Sequence, residues 1–166
     1  MASMSIRGGK KDIVFAHCDD WNSPKEAFED IAHLLPTDKI IWEPFYGDGN
    51  SGKYLTELGF TVEHHDLDFY DDPQFEWDLI LSNPPYSSKQ RLFKRLAEIN
   101  KPFMLLLPVS TITKKFLKTY FKDEIQIVIP SKRIHFIKGG ELSKRCWYDT
   151  MWVCYKMGFE KDITFL

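Results

Sequence analysis

The 166-residue chain is poor in the features that mark several large classes of protein. Its three cysteines, Cys18, Cys146 and Cys154, have no CxxC spacing and no neighbouring histidine cluster. We therefore predict no metal site and no disulfide framework, and we expect reduced thiols in a cytoplasmic setting. No apolar run approaches the ~18 residues that a membrane-spanning helix needs, so no membrane partner is expected.

The chain also lacks a large excess of either positive or negative charge, since its formal net charge is only −2. A protein that grips duplex nucleic acid along many phosphates usually has a strongly basic balance, so any such contact must be local. The lysine- and arginine-rich segments 89–95 and 114–122 are the candidates, followed by 131–145. The alternative for each segment is a solvated helix face.

The length suits one domain with one continuous core. Residues 1–12 are small and polar and are predicted to form a flexible tail, which leaves 13–166 as a single domain. Strands are predicted at 13–17, 39–43, 60–64, 78–82, 103–107, 124–130 and 150–156. Helices are predicted at 24–35, 51–58, 89–99 and 114–121. This alternation predicts a three-layer α/β domain whose mostly parallel sheet ends in an antiparallel pair formed by the last two strands.

The first predicted helix has a recognisable start. Ser23 is placed as its N-cap and Pro24 as its first residue, with Glu26 three positions after the cap.

A loop rich in glycine and acidic residues follows the strand at 39–43. Gly47 and Gly49 allow the backbone to approach a ligand closely. Glu43 and Asp48 favour a ligand that carries an ammonium group or ribose hydroxyls over a phosphate. In a parallel sheet, ligands bind outside the carboxyl ends of the strands, where this loop is predicted to lie.

A second loop, Asn83-Pro84-Pro85-Tyr86, follows the strand at 78–82. The two prolines make the turn stiff and remove two amide donors. The remaining polar groups, the Asn83 side-chain oxygen and the Pro84 carbonyl, are acceptors suited to a planar amine. Tyr86 is expected to offer a flat face on which a base can stack.

Together these loops resemble the cofactor-binding and catalytic motifs of the Rossmann-like adenine-N6 methyltransferases, whose signature is (D/N/S)PP(Y/F/W). The resemblance covers residues 20–157, has the motif order of the gamma group, and is closest to compact enzymes of phages and large DNA viruses. It implies transfer of a methyl group from S-adenosyl-L-methionine to the exocyclic amine of adenine, in DNA ahead of RNA. For a viral or phage protein, the implied location is the host cytoplasm.

Carried over residue by residue, the resemblance makes Asn83, Pro84, Pro85 and Tyr86 the catalytic tetrapeptide. The cofactor-binding residues that it implies are Trp21, Ser23, Pro24, Glu43, Phe45, Gly47, Gly49, Asp66, Asp68, Phe69 and Asn83. Asp66 is assigned to the cofactor ribose, with Glu63 as its rival. The family usually separates its ribose and adenine contacts by about twenty residues, whereas here only Leu67 separates Asp66 from Asp68.

No separate target-recognition domain is visible, so a second copy or a partner subunit is expected to supply target recognition. The aromatic and basic stretch 133–148 is either a hairpin packed on the sheet or a lip over the target-base pocket. Three other functions stay open. These are methylation of a protein glutamine, methylation of an RNA adenine, and a non-catalytic methyltransferase-like subunit that binds nucleic acid.

Overall fold

The computed structural model of the protein describes residues 19–143 and 149–166. The predicted tail at 1–12, the predicted strand at 13–17, Cys18, Cys146 and the end of the aromatic stretch at 144–148 lie outside the described residues.

Within the described ranges, the chain forms four α-helices and nine strands joined by short 3₁₀ turns. The strands are β1 Ile40–Trp42, β2 Thr61–Glu63, β3 Leu79–Ser82, β4 Phe103–Pro108, β5 Ile125–Ile129, β6 Ile137–Lys138, β7 Glu141–Leu142, β8 Thr150–Tyr155 and β9 Ile163–Phe165. The helices are α1 Lys25–Ile31, α2 Asn50–Glu57, α3 Lys89–Ile99 and α4 Lys115–Phe121.

Seven strands form one sheet in the order β2-β1-β3-β4-β8-β5-β9, and β6 pairs with β7 in a separate hairpin. β2, β1, β3 and β4 are parallel neighbours. β8 is antiparallel to both β4 and β5, which confirms the predicted antiparallel pair of β5 and β8. The edge strand β9, which the sequence pattern did not predict, runs parallel to β5.

The connections explain the three layers. The chain passes from β1 through α2 to β2 in one direction along the sheet, and from β3 through α3 to β4 in the other. Because crossovers between parallel strands are right-handed, these two helices lie on opposite faces of the sheet. The fold is therefore the predicted α/β sandwich, with a mostly parallel sheet between helices.

Strand β8 shows that both faces of the sheet are covered. Trp152 and Tyr155 lie an odd number of residues apart and so point to opposite faces. Trp152 contacts Phe28 of α1 at 6.2 Å between ring centroids, and Tyr155 contacts Phe121 of α4 at 4.8 Å. Phe28 is fully buried, so its replacement by alanine is expected to cost about 3–5 kcal/mol.

The start of α1 differs from the prediction. Pro24 occupies the N-cap position with extended backbone angles, and the helix begins at Lys25. Ser23 lies one residue before the cap, and its hydroxyl makes no hydrogen bond to any described residue. Its side chain is instead buried beside the loops that follow β1 and β3.

Candidate functional site

The loops that follow β1 and β3 leave the sheet side by side. The two strands are parallel neighbours, with Trp42 beside Ile80. The strand order reverses between them, since β1 leads to β2 on one side and β3 leads to β4 on the other. Ligands of open α/β sheets bind in the crevice at such a point. The glycine loop, residues 43–52, and the tetrapeptide, residues 83–86, therefore share one edge of the sheet.

The side chain of Glu43 joins the two loops. It is only 1% exposed, and its Oε1 accepts hydrogen bonds from the hydroxyl of Ser82 and from the backbone N–H of Phe45 at 3.0 Å. Burial, partly offset by these hydrogen bonds, raises the pKa of Glu43 from 4.5 to about 8. A cation beside this carboxyl would lower its pKa and hold it ionised.

The glycine loop approaches the segment before α1 at Gly47. Gly47 has a φ of +59°, and a Cβ atom there would lie 2.7 Å from Oδ1 of Asn22. Only glycine avoids both the left-handed strain and this contact. On the other side of the loop, the carboxylate of Asp48 accepts the backbone N–H of Asn50 at 3.0 Å and its side-chain amide at 2.8 Å.

Residues 19–23, which we call the N-terminal segment, form one wall of the site. Asn22 exchanges two backbone hydrogen bonds with Ile137 of β6, at 2.8 and 2.7 Å. The hydroxyl of Ser23 is buried and has no hydrogen-bond partner among the described residues. Because an unmade buried hydrogen bond is costly, this hydroxyl suits a polar ligand group.

The amide of Asn83 is oriented by two hydrogen bonds. Its Nδ2 donates to the backbone carbonyl of Trp21 at 3.3 Å. Its Oδ1 accepts the hydroxyl proton of Tyr86 at 2.7 Å. A carbonyl oxygen has two lone pairs, so Oδ1 keeps one site for a second donor.

Tyr86, which is expected to offer a flat face to a base, is buried in the structure. The side chain is only 3% exposed, and its ring meets Phe136 edge to face at 6.4 Å. The hydroxyl at the end of the ring donates its hydrogen bond to Asn83. Tyr86 therefore makes two kinds of contact: its hydroxyl binds Asn83, and its ring packs against Phe136.

A cavity that opens to solvent lies between the glycine loop, the tetrapeptide and the N-terminal segment. Six of the predicted site residues line it: Trp21, Ser23, Glu43, Phe45, Gly47 and Asn83. The lining does not include the other predicted site residues, Pro24, Gly49, Asp66, Asp68, Phe69, Pro84, Pro85 and Tyr86.

Gly49 and the residues after β2 contribute to the structure around the cavity. Gly49, with a φ of +82°, is the N-cap of α2. Phe69 is buried, and its ring centroid lies 5.1 Å from that of Phe45, which lines the cavity. Asp68 accepts the backbone N–H of Tyr70 at 2.9 Å.

The two candidates for the ribose contact remain candidates. Asp66 is exposed. Glu63 ends β2, and its carboxylate lies 2.6 Å from Nε2 of His65. Neither residue lines the cavity, so the ribose assignment stays a prediction.

Two residues beside the tetrapeptide make contacts that the sequence does not predict. The carboxylate of Asp19 accepts the backbone N–H groups of Tyr86 and Ser87 at 3.0 and 3.2 Å. Lys89 is buried, and its Nζ donates to the carbonyl of Tyr86 at 2.9 Å. Lys89 was predicted as the start of a helix and as part of a basic segment, but its contact with Tyr86 was not predicted. Asp19 is far away along the chain and carries no local signal.

The described residues form neither a metal-binding cluster nor a membrane-spanning helix. Within residues 19–143 and 149–166, no group of three or more His, Cys, Asp or Glu side chains is placed to hold a metal ion. In the same part of the chain, no helix has the length and apolar character needed to cross a membrane.

Comparison with solved structures identifies the fold. A dimethyladenosine transferase from Plasmodium falciparum superposes with a TM-score of 0.52 at 14% identity, over 81% of this chain and 62% of that one. A candidate RNA methyltransferase from Pyrococcus horikoshii superposes with a TM-score of 0.51 at 13% identity, over 91% and 92% of the two chains. The fold is a methyltransferase fold.

The chain spans less than two thirds of the length of the Plasmodium falciparum protein. No protein-family model and no curated protein sequence matches the chain.

Proposed function

We propose that this protein uses S-adenosyl-L-methionine to methylate the exocyclic amine of adenine in nucleic acid, in DNA ahead of RNA. One observation carries the proposal. The buried acid Glu43 and the oriented amide of Asn83 line one cavity at the switch point of a methyltransferase fold. One group is suited to an ammonium ligand, and the other is suited to an amine substrate.

The residues around the cavity fit the methionine end of this cofactor. Glu43 is a buried carboxyl, and a neighbouring ammonium would favour its ionised form. The Ser23 hydroxyl, which has no partner among the described residues, can donate to a carboxylate. Glycine at 47 leaves the backbone accessible where a Cβ atom would meet Asn22. The bound cofactor would supply a methyl group on a sulfonium leaving group.

The tetrapeptide would hold the target amine. Asn83 Oδ1 and the carbonyl of Pro84 can each accept one of its two N–H bonds, which turns the nitrogen lone pair toward the methyl donor. No strong general base is required, because the proton can leave after the transfer. The main contribution is positioning of the reactants. An adenine inside a duplex cannot reach the cavity, so the base must be flipped out or come from a single strand.

The basic segments differ in how far their charges are available to a nucleic acid. In the segment 89–95, Lys89 is buried, Arg91 stacks on the ring of Tyr70 at 3.7 Å, and Arg95 pairs with Asp72 at 2.6 Å. Most of its cations therefore make contacts within the protein. The third segment, 131–145, is described only up to residue 143.

The segment 114–122 presents its lysines to solvent. Lys114, Lys115, Lys118 and Lys122 are exposed, and within the described residues none of them forms an ion pair. The segment follows β4, the parallel neighbour of β3, and so starts on the side of the sheet where the tetrapeptide lies. We assign the phosphate contacts of the substrate to this segment.

An RNA adenine is the second candidate substrate. The names of the two similar structures refer to dimethyladenosine and to RNA. Protein glutamine and a non-catalytic role receive no specific support from the site.

Transfer of tritiated methyl groups from the cofactor to a panel of unmethylated DNA, RNA and protein tests the proposal. We expect label in DNA, with RNA second, and N6-methyladenine after digestion to nucleosides. Label only in protein, or no label on any substrate despite cofactor binding, would contradict it.

A further inference from the structure

The carboxylate of Asp19 contacts the residues that follow the prolines of the tetrapeptide. Its Oδ1 accepts the backbone N–H of Tyr86 at 3.0 Å and that of Ser87 at 3.2 Å, and its Oδ2 accepts the hydroxyl proton of Ser87. Asp19 lies 67 residues before Tyr86 in the sequence. One side chain from a distant part of the chain thus binds three donors of a single turn.

These donors need a partner because they open a helix. Tyr86–Ser88 form a 3₁₀ turn that leads directly into α3. The first N–H groups of a helix have no acceptor within it. The residues at the two N-cap positions, Pro85 and Ser88, make no capping hydrogen bond. Asp19 fills this role from outside, with a carboxylate that is favourable both as an acceptor and toward the helix dipole.

The same N-terminal segment also reaches Asn83. The carbonyl of Trp21, two positions after Asp19, accepts the Nδ2 proton of Asn83. The Asn83 Oδ1 atom is held by the hydroxyl of Tyr86, whose backbone N–H is bound by Asp19. The aspartate therefore fixes the backbone from which the Tyr86 side chain reaches Asn83.

We propose that Asp19 is a positioning residue for methyl transfer. It holds the turn at Tyr86 and Ser87, and through Tyr86 it sets the orientation of the Asn83 amide toward the target amine. The inference rests on the proposed function, because it names the residue that aligns the acceptor in that reaction. Asp19 also lines the cavity, but both of its carboxylate oxygens accept hydrogen bonds from the turn, so we expect its main effect to be on the rate of transfer.

The chain offers a matched control. Asp30 of α1 accepts the backbone N–H of Ser131 at 2.9 Å and the Ser131 hydroxyl at 2.6 Å. It thus makes the same type of contact as Asp19 but does not touch the tetrapeptide. A variant at Asp30 loses the same kind of hydrogen bonds without affecting Asn83.

Four variants test the proposal: Asp19→Ala, Asp19→Asn, Ser87→Ala and Asp30→Ala. Each is measured for calorimetric cofactor affinity and for kcat at saturating concentrations of cofactor and substrate. We expect Asp19→Ala to lower kcat by about tenfold or more and Ser87→Ala by roughly threefold, with cofactor Kd within about threefold of wild type. Asp19→Asn should recover much of the loss, since its side-chain oxygen still accepts the backbone N–H groups. Asp30→Ala should keep the wild-type kcat.

A second readout does not depend on activity. The side-chain amide signals of Asn83 in ¹⁵N-labelled protein should shift or broaden in Asp19→Ala and Ser87→Ala but not in Asp30→Ala. If wild type transfers no methyl group, the proposed function fails while this signal still tests the positioning. Unchanged Asn83 signals in Asp19→Ala would overturn the inference. So would an unchanged kcat, or a loss of cofactor affinity alone, which would place Asp19 in direct contact with the cofactor.

Discussion

The hydroxyl of Tyr86 donates a hydrogen bond to the side-chain oxygen of Asn83 over 2.7 Å. The other end of the same amide donates to the carbonyl of Trp21 at 3.3 Å. An amide nitrogen can only donate and a backbone carbonyl can only accept, so the two contacts select one of the two flipped orientations of Asn83. The side-chain oxygen is thereby directed by Tyr86.

Removal of the Tyr86 hydroxyl should therefore slow methyl transfer even when the ring is kept. Tyr86→Phe should lower kcat by roughly 3- to 10-fold, which is the expected effect of one hydrogen bond of ordinary strength. Cofactor affinity should not change, because Tyr86 does not line the cavity. Steady-state rates and calorimetry check this expectation. A Tyr86→Phe protein with the wild-type kcat would show that only the aromatic face matters.

Glu43→Gln should change how stability depends on pH. The pKa of Glu43 is about 8 in the folded protein, against 4.5 for a glutamate in water, the value taken for the unfolded chain. Between these values the folded state binds more protons than the unfolded state, so wild-type stability falls as pH rises from about 5 to 8, by up to ~1.4 kcal/mol per pH unit. The variant lacks this loss, so its stability relative to wild type should increase across the window. Urea unfolding at several pH values measures the effect. If the free energies of unfolding of wild type and Glu43→Gln changed equally with pH, the prediction would be contradicted.

The same carboxyl should give the cofactor affinity a pH dependence. If Glu43 binds the ammonium group as a carboxylate, wild-type affinity should rise as pH increases toward 8, with a proton released on binding at lower pH. Glu43→Gln should bind the cofactor at least about tenfold more weakly, without this dependence. Calorimetry in buffers of different ionisation enthalpy detects the released proton. An equal dependence in both proteins would exclude Glu43 as its source.

Gly47→Ala should weaken cofactor binding, and Gly59→Ala provides the control. Both glycines have positive φ, +59° and +93°, so alanine introduces backbone strain of about 1–2 kcal/mol at either position. Only at Gly47 would the added methyl group meet another atom, 2.7 Å away on Asn22, whereas no atom lies within 4 Å at Gly59. We expect similar losses of stability but a loss of affinity of roughly tenfold, equal to about 1.4 kcal/mol, only for Gly47→Ala. Equal affinities would remove Gly47 from the cofactor site.

The lysines of 114–122 should contribute to the salt dependence of the reaction. Each lost phosphate contact should reduce the slope of log kcat/KM against log salt by about 0.7 to 0.9. The double variant Lys115→Gln/Lys118→Gln removes one or two such contacts, so its slope should be shallower by roughly 0.7 to 1.8. Lys39→Gln serves as the control, since Lys39 is exposed just before β1, at the opposite end of the strand from the site. An unchanged slope in the double variant would place the phosphate contacts elsewhere.

Local patterns predicted most of the fold. The apolar run that forms β4 is buried at every position, and α3 begins and ends where the sequence pattern placed it. Such elements carry their signal in adjacent residues. The short edge strand β9 lacks that signal, because its burial alternates over only three residues and its pairing depends on β5.

The part of the site that the two loop motifs form could be predicted from the sequence. The cavity brings Glu43, Gly47 and Asn83 together as expected from the two motifs. The N-cap assigned to Ser23 was wrong, because the extended backbone of Pro24 provides the cap and Ser23 faces the cavity. The role of Asp19 could not be predicted, since the residues that it contacts lie 67 and 68 positions further along the chain.

The amine-acceptor role of Asn83 distinguishes an adenine methyltransferase from a protein that only binds the cofactor. Wild type and Asn83→Ala should be compared for calorimetric cofactor affinity and for the initial rate of N6-methyladenine formation, measured by mass spectrometry of the digested substrate. We predict a cofactor Kd within a few fold of wild type and a rate reduced by about 100-fold or more, as expected when a preorganised contact to the reacting group is lost. Formation of N6-methyladenine at the wild-type rate by Asn83→Ala would contradict the proposed function.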